Sequence, residues 1–252
     1  MSMRQPAHTD RRRAEAFGRA ASDYHRYRPR YPLALITELV GSGHVRVLDV
    51  GAGTGIASMQ LREAGADVLA VEPDSRMGQV AVANGIDVER STFEDWLPNG
   101  RSFDLVVFAQ SFHWVEPKHA LEKCATILRD RGRLVLLSNR LTPITPPKQE
   151  LDEIYSGYLG PELQSPIDAA HNQELLTLIE RHGFEVERRH VSERQHYAAD
   201  AWVNMVSTHS NILTLEHQAR ADLRLRLAQR IGDAGVEAEN NATAVVCTPS
   251  SA

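Results

Sequence analysis

The sequence predicts an α/β domain built on a doubly wound, mostly parallel sheet. Apolar runs of strand length alternate with helical patterns as far as residue 138. The runs are continuous rather than alternating in polarity, the pattern of strands covered on both faces. A loop, Gly51-Ala52-Gly53-Thr54-Gly55, joins the first run to a helix. A chain of 252 residues has room for one such domain with a small helical cap.

Residues 10–32 (DRRRAEAFGRAASDYHRYRPRYP) read as a helix that stops ahead of Pro29 and Pro32, with Tyr24, Tyr27 and Tyr31 around the stop. LALITELVGSG is a helix closed by glycine, and VRVLDV is the first buried strand. After the glycine loop, GIASMQLREAG is a helix and ADVLAVEP the second strand. Asp74 can N-cap the helix SRMGQVAVANG. A short third strand lies in IDVERSTFEDW, the fourth in FDLVVFAQ, a helix in HALEKCATILRDRG and the fifth strand in RLVLLSN. Beyond it LTPITPPKQ reads as a proline-rich loop and ELDEIYSGYLG as a short helix. QELLTLIERHG is helical and FEVERRHV a strand. AWVNMVSTHSNILTL and HQARADLRLRLAQRI are helical, and NATAVVCTP is the last strand.

A formal net charge of −5 gives no global field that would recruit nucleic acid or an anionic membrane. No apolar run approaches the roughly 20 residues that cross a bilayer. The two cysteines, Cys124 and Cys247, form neither a disulfide framework nor a zinc spacing, so no metal is expected. They fit a reducing cytoplasm. The N-terminal arginines have the composition of a transit peptide, but a solvated helix face is the simpler reading. Lysine occurs only at 118, 123 and 148.

The glycine loop asks for a ligand. It follows a strand and opens a helix, as a nucleotide fingerprint must, yet its spacing is G-x-G-x-G rather than G-x-G-x-x-G. Glu72 ends the second strand 21 residues beyond Gly51, where an acid binds ribose hydroxyls in dinucleotide folds. A carboxylate there would repel a 2′-phosphate. Asp49, two residues before the loop, is a poor neighbour for a pyrophosphate and suits a cofactor with a cationic end. S-adenosylmethionine carries an ammonium and a sulfonium and no phosphate. Taken singly, Asp49 could cap a turn and Glu72 could be a solvated strand end. A nicotinamide-dependent oxidoreductase and a non-catalytic sensor of S-adenosylmethionine remain as alternatives.

VLDVGAGTG, AVEPDSRM, FEDW, FDLVVFAQSFHWV and LRDRGRLVLL together resemble the ordered motifs of class I S-adenosylmethionine-dependent methyltransferases over residues 20–140. YHRYRPRYP and the HW pair are similar to a subgroup containing trans-aconitate methyltransferase-like enzymes. The resemblance implies a seven-stranded Rossmann-like sheet with an antiparallel last strand. It also implies one domain over 1–252, with a cofactor-binding core at 20–140 and lid or cap segments at 1–32, 140–170 and 198–232. Gly51, Ala52 and Gly53 would line the methionine moiety, Glu72 hold the ribose, and Pro73 and Met77 flank the adenine. Phe93 and Glu94 would sit at the adenine edge, Gln110 and Ser111 beneath the cofactor, and Tyr24, Arg28 and Tyr31 over it. The product would be S-adenosylhomocysteine.

For the acceptor, the absence of an Asn-Pro-Pro-Tyr-like stretch argues against base nitrogens, and no basic stripe points to nucleic acid. A small molecule methylated on a carboxylate or hydroxyl is expected. His113 is the candidate catalytic residue, since ligands gather at the carboxyl ends of strands in open α/β sheets. Trp114 beside it is a candidate pocket wall. The competing role for His113 is to cap the helix beginning near Pro117. Arg140 is a candidate for an acceptor carboxylate or an ordinary surface arginine. Trp202, in a stripe with Met205 and His209, is a candidate acceptor contact, though such stripes are more often core.

Overall fold

The computed structural model describes residues 18, 20–160 and 172–250. Parts of the expected segments 1–32 and 140–170 therefore lie outside the described residues. The strands are β1 (Arg46–Val50), β2 (Asp67–Val71), β3 (Asp87–Glu89), β4 (Phe103–Ala109), β5 (Leu128–Thr145), β6 (Phe184–Tyr197) and β7 (Val236–Pro249). They form one sheet in the order β3-β2-β1-β4-β5-β7-β6. β1 to β5 pair in parallel, and β7 runs antiparallel to both β5 and β6.

The helices are α1 (Ala21–Tyr27), α2 (Leu33–Val40), α3 (Ile56–Glu63), α4 (Ser75–Ala83) and α5 (Pro117–Ile127). There follow α6 (Lys148–Ser156), α7 (Gln173–Arg181), α8 (Ala199–Ser207), α9 (Ser210–Leu213) and α10 (His217–Ile231). Because side chains alternate across a strand, each central strand feeds two cores. Leu48, Val106, Phe108, Leu134 and Leu136 pack with Leu121 of α5 and Ile179 of α7. Val47, Leu105, Val107, Val135 and Leu137 pack with Leu35, Ile36 and Leu39 of α2 and Leu61 of α3. The apolar runs are continuous because both faces are buried. Asp74 caps α4 as expected, its Oδ1 accepting from the N–H groups of Arg76 (2.8 Å) and Met77 (3.2 Å).

Three expectations need correction. The helix placed over 119–132 ends at Ile127, and residues 128–132 already belong to β5. Leu128 pairs with Phe103, and the register then shifts before Arg133 pairs with Leu105. Arg131 at φ 62 marks the irregular stretch between. The loop expected over 141–149 is instead the continuation of β5 to Thr145, paired with residues 237–240 of β7. Proline-rich composition masked a strand whose partner supplies the missing order. The helix expected over 201–215 is broken at Thr208 and His209 into α8 and α9. Hydroxyl donation from Ser207 to the Val203 carbonyl (2.6 Å) and from Thr208 to Met205 (2.6 Å) competes with helix continuation there.

The extended tips of β5 and β7 carry a third core that forms the cap. Leu151 of α6, Trp202, Val203 and Met205 of α8, and Leu223 and Leu227 of α10 bury together, with Tyr27 of α1 against them. Trp202 is only 3% exposed and meets Tyr197 edge-on at 5.5 Å. That environment makes it a core residue of the cap. Trp202→Ala is expected to cost about 3–5 kcal/mol, measured as a fall in the urea midpoint. A cost below about 1 kcal/mol would return the indole to the pocket wall that its sequence position allowed.

Candidate active site

The site grows from the end of β1. Gly51, Gly53 and Gly55 adopt φ of 66°, 58° and 79°, a left-handed conformation that only glycine adopts without cost. A Cβ on Gly51 would lie 2.7 Å from the Ser111 Cβ, so the loop also presses directly on the segment after β4. Ser111 is buried there and donates its hydroxyl to the Val50 carbonyl. The N–H groups of Gly51 and Ala52 both donate to the Val71 carbonyl, at 2.8 and 3.2 Å, tying the loop to β2.

Glu72, 7% exposed at the end of β2, completes the anchorage. Its Oε2 accepts from the Gly53 N–H and its Oε1 from the Asp74 N–H, each at 2.8 Å. A carboxylate offers about four acceptor positions. Two are thus spent on the chain. Burial pushes the carboxyl up to about 7, against the two N–H donors that favour its charge. Pro73 is exposed beside it. Met77, set by the Asp74 cap, lies under the loop with its Cε 3.4 Å from where a Gly53 Cβ would be.

Asp49 sits deeper than its sequence position implied. It is fully buried, and its Oδ2 accepts from the Ser58 hydroxyl at 2.5 Å while Oδ1 has no hydrogen-bond partner among the described residues. Burial raises its pKa to about 6.

Residues 28–31 form a strap that leads from α1 to α2. The Tyr31 backbone and the Gln60 side chain exchange two hydrogen bonds, at 2.9 and 2.7 Å, which lock the strap to α3. The Tyr31 hydroxyl meets the Gln110 side chain. Gln110, at φ 57°, donates its N–H to the Leu137 carbonyl at 2.8 Å. Arg28 lies 4.8 Å over the Tyr24 ring and donates Nε to Thr208 Oγ1 (2.9 Å) and Nη2 to the Thr208 carbonyl (3.2 Å). Among the described residues no carboxylate pairs with Arg28, and burial lowers its pKa. The same burial, with Arg28 beside it, holds the His209 imidazole well below the ordinary value. Strap and cap therefore meet at one arginine.

The remaining candidates divide. Phe93 is buried, edge-on to Phe108 at 5.4 Å, so its ring serves the core. Glu94 is exposed and its Oε1 accepts from the Glu116 N–H at 3.0 Å, joining the loop after β3 to the start of α5. His113 and Trp114 share a 3-10 turn after β4, their ring centroids 4.8 Å apart. The α5 cap that competed for His113 is made by Glu116, whose carboxylate accepts from the N–H groups of Lys118 (3.2 Å) and His119 (2.7 Å). Arg140 is exposed on β5 opposite Asn241. Its neighbour Asn139 faces the other side and donates to the Arg30 carbonyl at 3.0 Å. Sequence reasoning missed Ser58, Gln60 and Thr208, whose roles appear only when distant segments meet. Among the described residues no group of three or more His, Cys, Asp or Glu side chains could hold a metal.

A sheet of this order, with one antiparallel strand, a glycine loop after β1 and an acid closing β2, defines a class I S-adenosylmethionine-dependent methyltransferase. Residues 48–136 match the model of a methyltransferase domain. An uncharacterized methyltransferase of Mycobacterium tuberculosis is 32% identical over 232 residues, 91% of each chain. A type II methyltransferase candidate from Anaeromyxobacter dehalogenans superposes with a TM-score of 0.62 at 21% identity, covering 88% of this chain and 98% of that one. A Haemonchus contortus phosphoethanolamine N-methyltransferase, solved with S-adenosylhomocysteine and phosphomonomethylethanolamine, gives a TM-score of 0.51 at 14% identity. It covers 87% of this chain and 52% of that one. The chain belongs to the S-adenosylmethionine-dependent methyltransferase family. S-adenosylmethionine is its cofactor, and the nicotinamide alternative falls.

The two raised carboxyls make stability depend on pH. Asp49 and Glu72 hold their protons more tightly folded than unfolded, so their contribution is fully present below their unfolded values near 4. It is lost as pH rises to about 7 and is constant above that. Urea unfolding of the ligand-free protein is expected to show this declining limb, flattened by Glu72→Gln and Asp49→Asn together. An identical limb in the double variant would assign the pH dependence elsewhere.

Proposed function

We propose that the chain methylates an oxygen, carboxylate or hydroxyl, of a small-molecule acceptor. The observation that carries this reading is the bridge that Arg28 makes from the strap to Thr208 of the cap. An opening bridged in this way suits a small ligand better than a polymer, and the formal net charge of −5 gives nucleic acid no attraction.

Bound S-adenosylmethionine supplies a methyl on a cationic sulfonium, and the acceptor oxygen displaces neutral thioether in line. In this reading Gly51, Ala52 and Gly53 hold the methionine end and Glu72 takes the ribose hydroxyls with its unspent acceptor positions. Arg28, a cation without a carboxylate partner among the described residues, faces the methionine carboxylate, with Tyr24 stacked beneath it. Gln110 and Tyr31 close the wall toward the acceptor. His113 takes the proton of an acceptor hydroxyl, or orients an acceptor that is already a carboxylate. Trp114 and Arg140 are the neighbouring acceptor contacts. Positioning supplies much of the rate in such a displacement.

The test is transfer of labelled methyl to a panel of carboxylic acids, phenols, alcohols, sugars and amines. Transfer to a carboxylic acid, phenol or alcohol is expected, and transfer confined to amines would overturn oxygen methylation. With the acceptor in hand, His113→Gln should lower turnover about 10²-fold or more for a hydroxyl acceptor and abolish the rise of rate with pH. A carboxylate acceptor predicts a smaller loss and a flat profile above pH ~6, where a carboxylic acid is already ionised. Wild-type turnover in His113→Ala would remove this residue from the chemistry.

A further inference from the structure

We propose that Lys123 is the positioning residue for the base-binding side of the cofactor site, acting by holding the loop 92–96 in the shape that reads adenine. The proposal rests on the reading that this loop borders the base. Lys123 projects from α5, and its Nζ donates to the carbonyls of Phe93 (2.5 Å), Glu94 (3.1 Å) and Trp96 (2.5 Å). An ammonium has three N–H donors, and here each has a backbone carbonyl. The Phe93 and Trp96 rings lie 5.0 and 5.8 Å from the same nitrogen.

Three carbonyl dipoles aimed at one point repel one another unless a cation sits between them. The loop can keep this shape only while Lys123 is there. Both rings are buried in the core with Phe108 and Phe103. Removing the ammonium therefore leaves the side chains anchored and frees the peptide planes to rotate. In a trans peptide the C=O of one residue and the N–H of the next point in opposite directions. Turning the Phe93 carbonyl toward α5 thus turns the Glu94 N–H away from it. Thr92 fixes the next peptide, its Oγ1 accepting from the Asp95 N–H at 3.2 Å while its hydroxyl donates to the Asp95 carboxylate at 2.8 Å. A fixed peptide N–H pairs with N1 of adenine, which accepts. It is mispaired with N1 of hypoxanthine, which carries a hydrogen.

That difference supplies a test independent of turnover. Calorimetry would compare S-adenosylhomocysteine with its hypoxanthine counterpart, S-inosylhomocysteine, on wild type, Lys123→Met and Glu72→Ala. Wild type should prefer the adenine ligand about tenfold or more, the effect of one mispaired buried hydrogen bond. Lys123→Met should bring the two affinities within about threefold of each other. Glu72→Ala should weaken both ligands alike and keep the preference. A preference undiminished in Lys123→Met would overturn the role of Lys123 while leaving the cofactor reading intact. A wild type that binds both ligands equally would overturn it by showing that this loop does not read the base. A wild type that binds neither would sink the cofactor reading itself. If circular dichroism shows Lys123→Met unfolded, Lys123→Arg takes its place. A planar guanidinium keeps the charge but cannot aim three donors at three converging carbonyls, so the preference should again fall. Its retention in the arginine variant would count against the proposal.

Discussion

Two peptide N–H groups, from Gly53 and Asp74, converge on the carboxylate of Glu72, and the shape of the cleft follows from that convergence. The first fixes the glycine loop at the end of β1, and the second fixes the turn that starts α4. The first could not be replaced by packing, because glycine has no side chain to pack. Without the carboxylate, the loop 51–55 would keep its left-handed torsions and the two bonds of Gly51 and Ala52 to Val71 but lose its hold at Gly53. Hydrogen bonds to a charged acceptor are each worth about 1.5–3 kcal/mol, and burial of the acid works against them. The site therefore holds a partly neutralised acid whose preferred charge state a ligand can still change.

Around this centre the chain returns repeatedly to cover the same opening. Gln60 grips the Tyr31 backbone from below. Asn139 of β5 and Asn240 of β7 both donate to the Arg30 carbonyl, at 3.0 and 3.3 Å, holding the strap against the sheet. Arg28 then reaches the cap. Polar contacts thus hold the strap where the buried Tyr31 ring packs in the core with Leu35 and Ile36. The cap has its own apolar core. A cap with its own core beside a separately held strap suits an enzyme that must enclose and release its ligands.

Much of this was legible in the sequence because the parallel half of the sheet is locally encoded. Continuous apolar runs marked β1, β2 and β4, and the alternating glycines marked the loop. Asp74 announced the helix that it caps. What stayed hidden depends on contacts between distant segments. Leu141–Thr145 join β5 only because β7 lies alongside them. Phe93 and Glu94 could be placed near a base by motif, but only packing shows that the ring faces the core and the carboxylate holds α5. Asp49 stood out by its place before the loop, but its burial and its bond to Ser58 appear only in the fold. Lys123 looked like one of three scattered lysines. Three carbonyls separated from it by about thirty residues give it a task that no local pattern carries.

The place of β7 bears on how the chain assembles as it is made. Among the described residues β6 pairs only with β7, and β7 alone joins it to β5. As the chain emerges, β1 to β5 can gather into a parallel sheet, but β5 then presents a long bare edge. β6 follows with no neighbour to accept it. Both wait for residues 236–249, which must enter between two strands already synthesised. Ladders of this separation in sequence close slowly, and open strand edges are where chains pair wrongly with one another. Synthesis thus leaves a nascent protein whose cofactor loop can already be shaped while its sheet is still in two pieces. An early hold on the nucleoside end would stabilise the half that must wait.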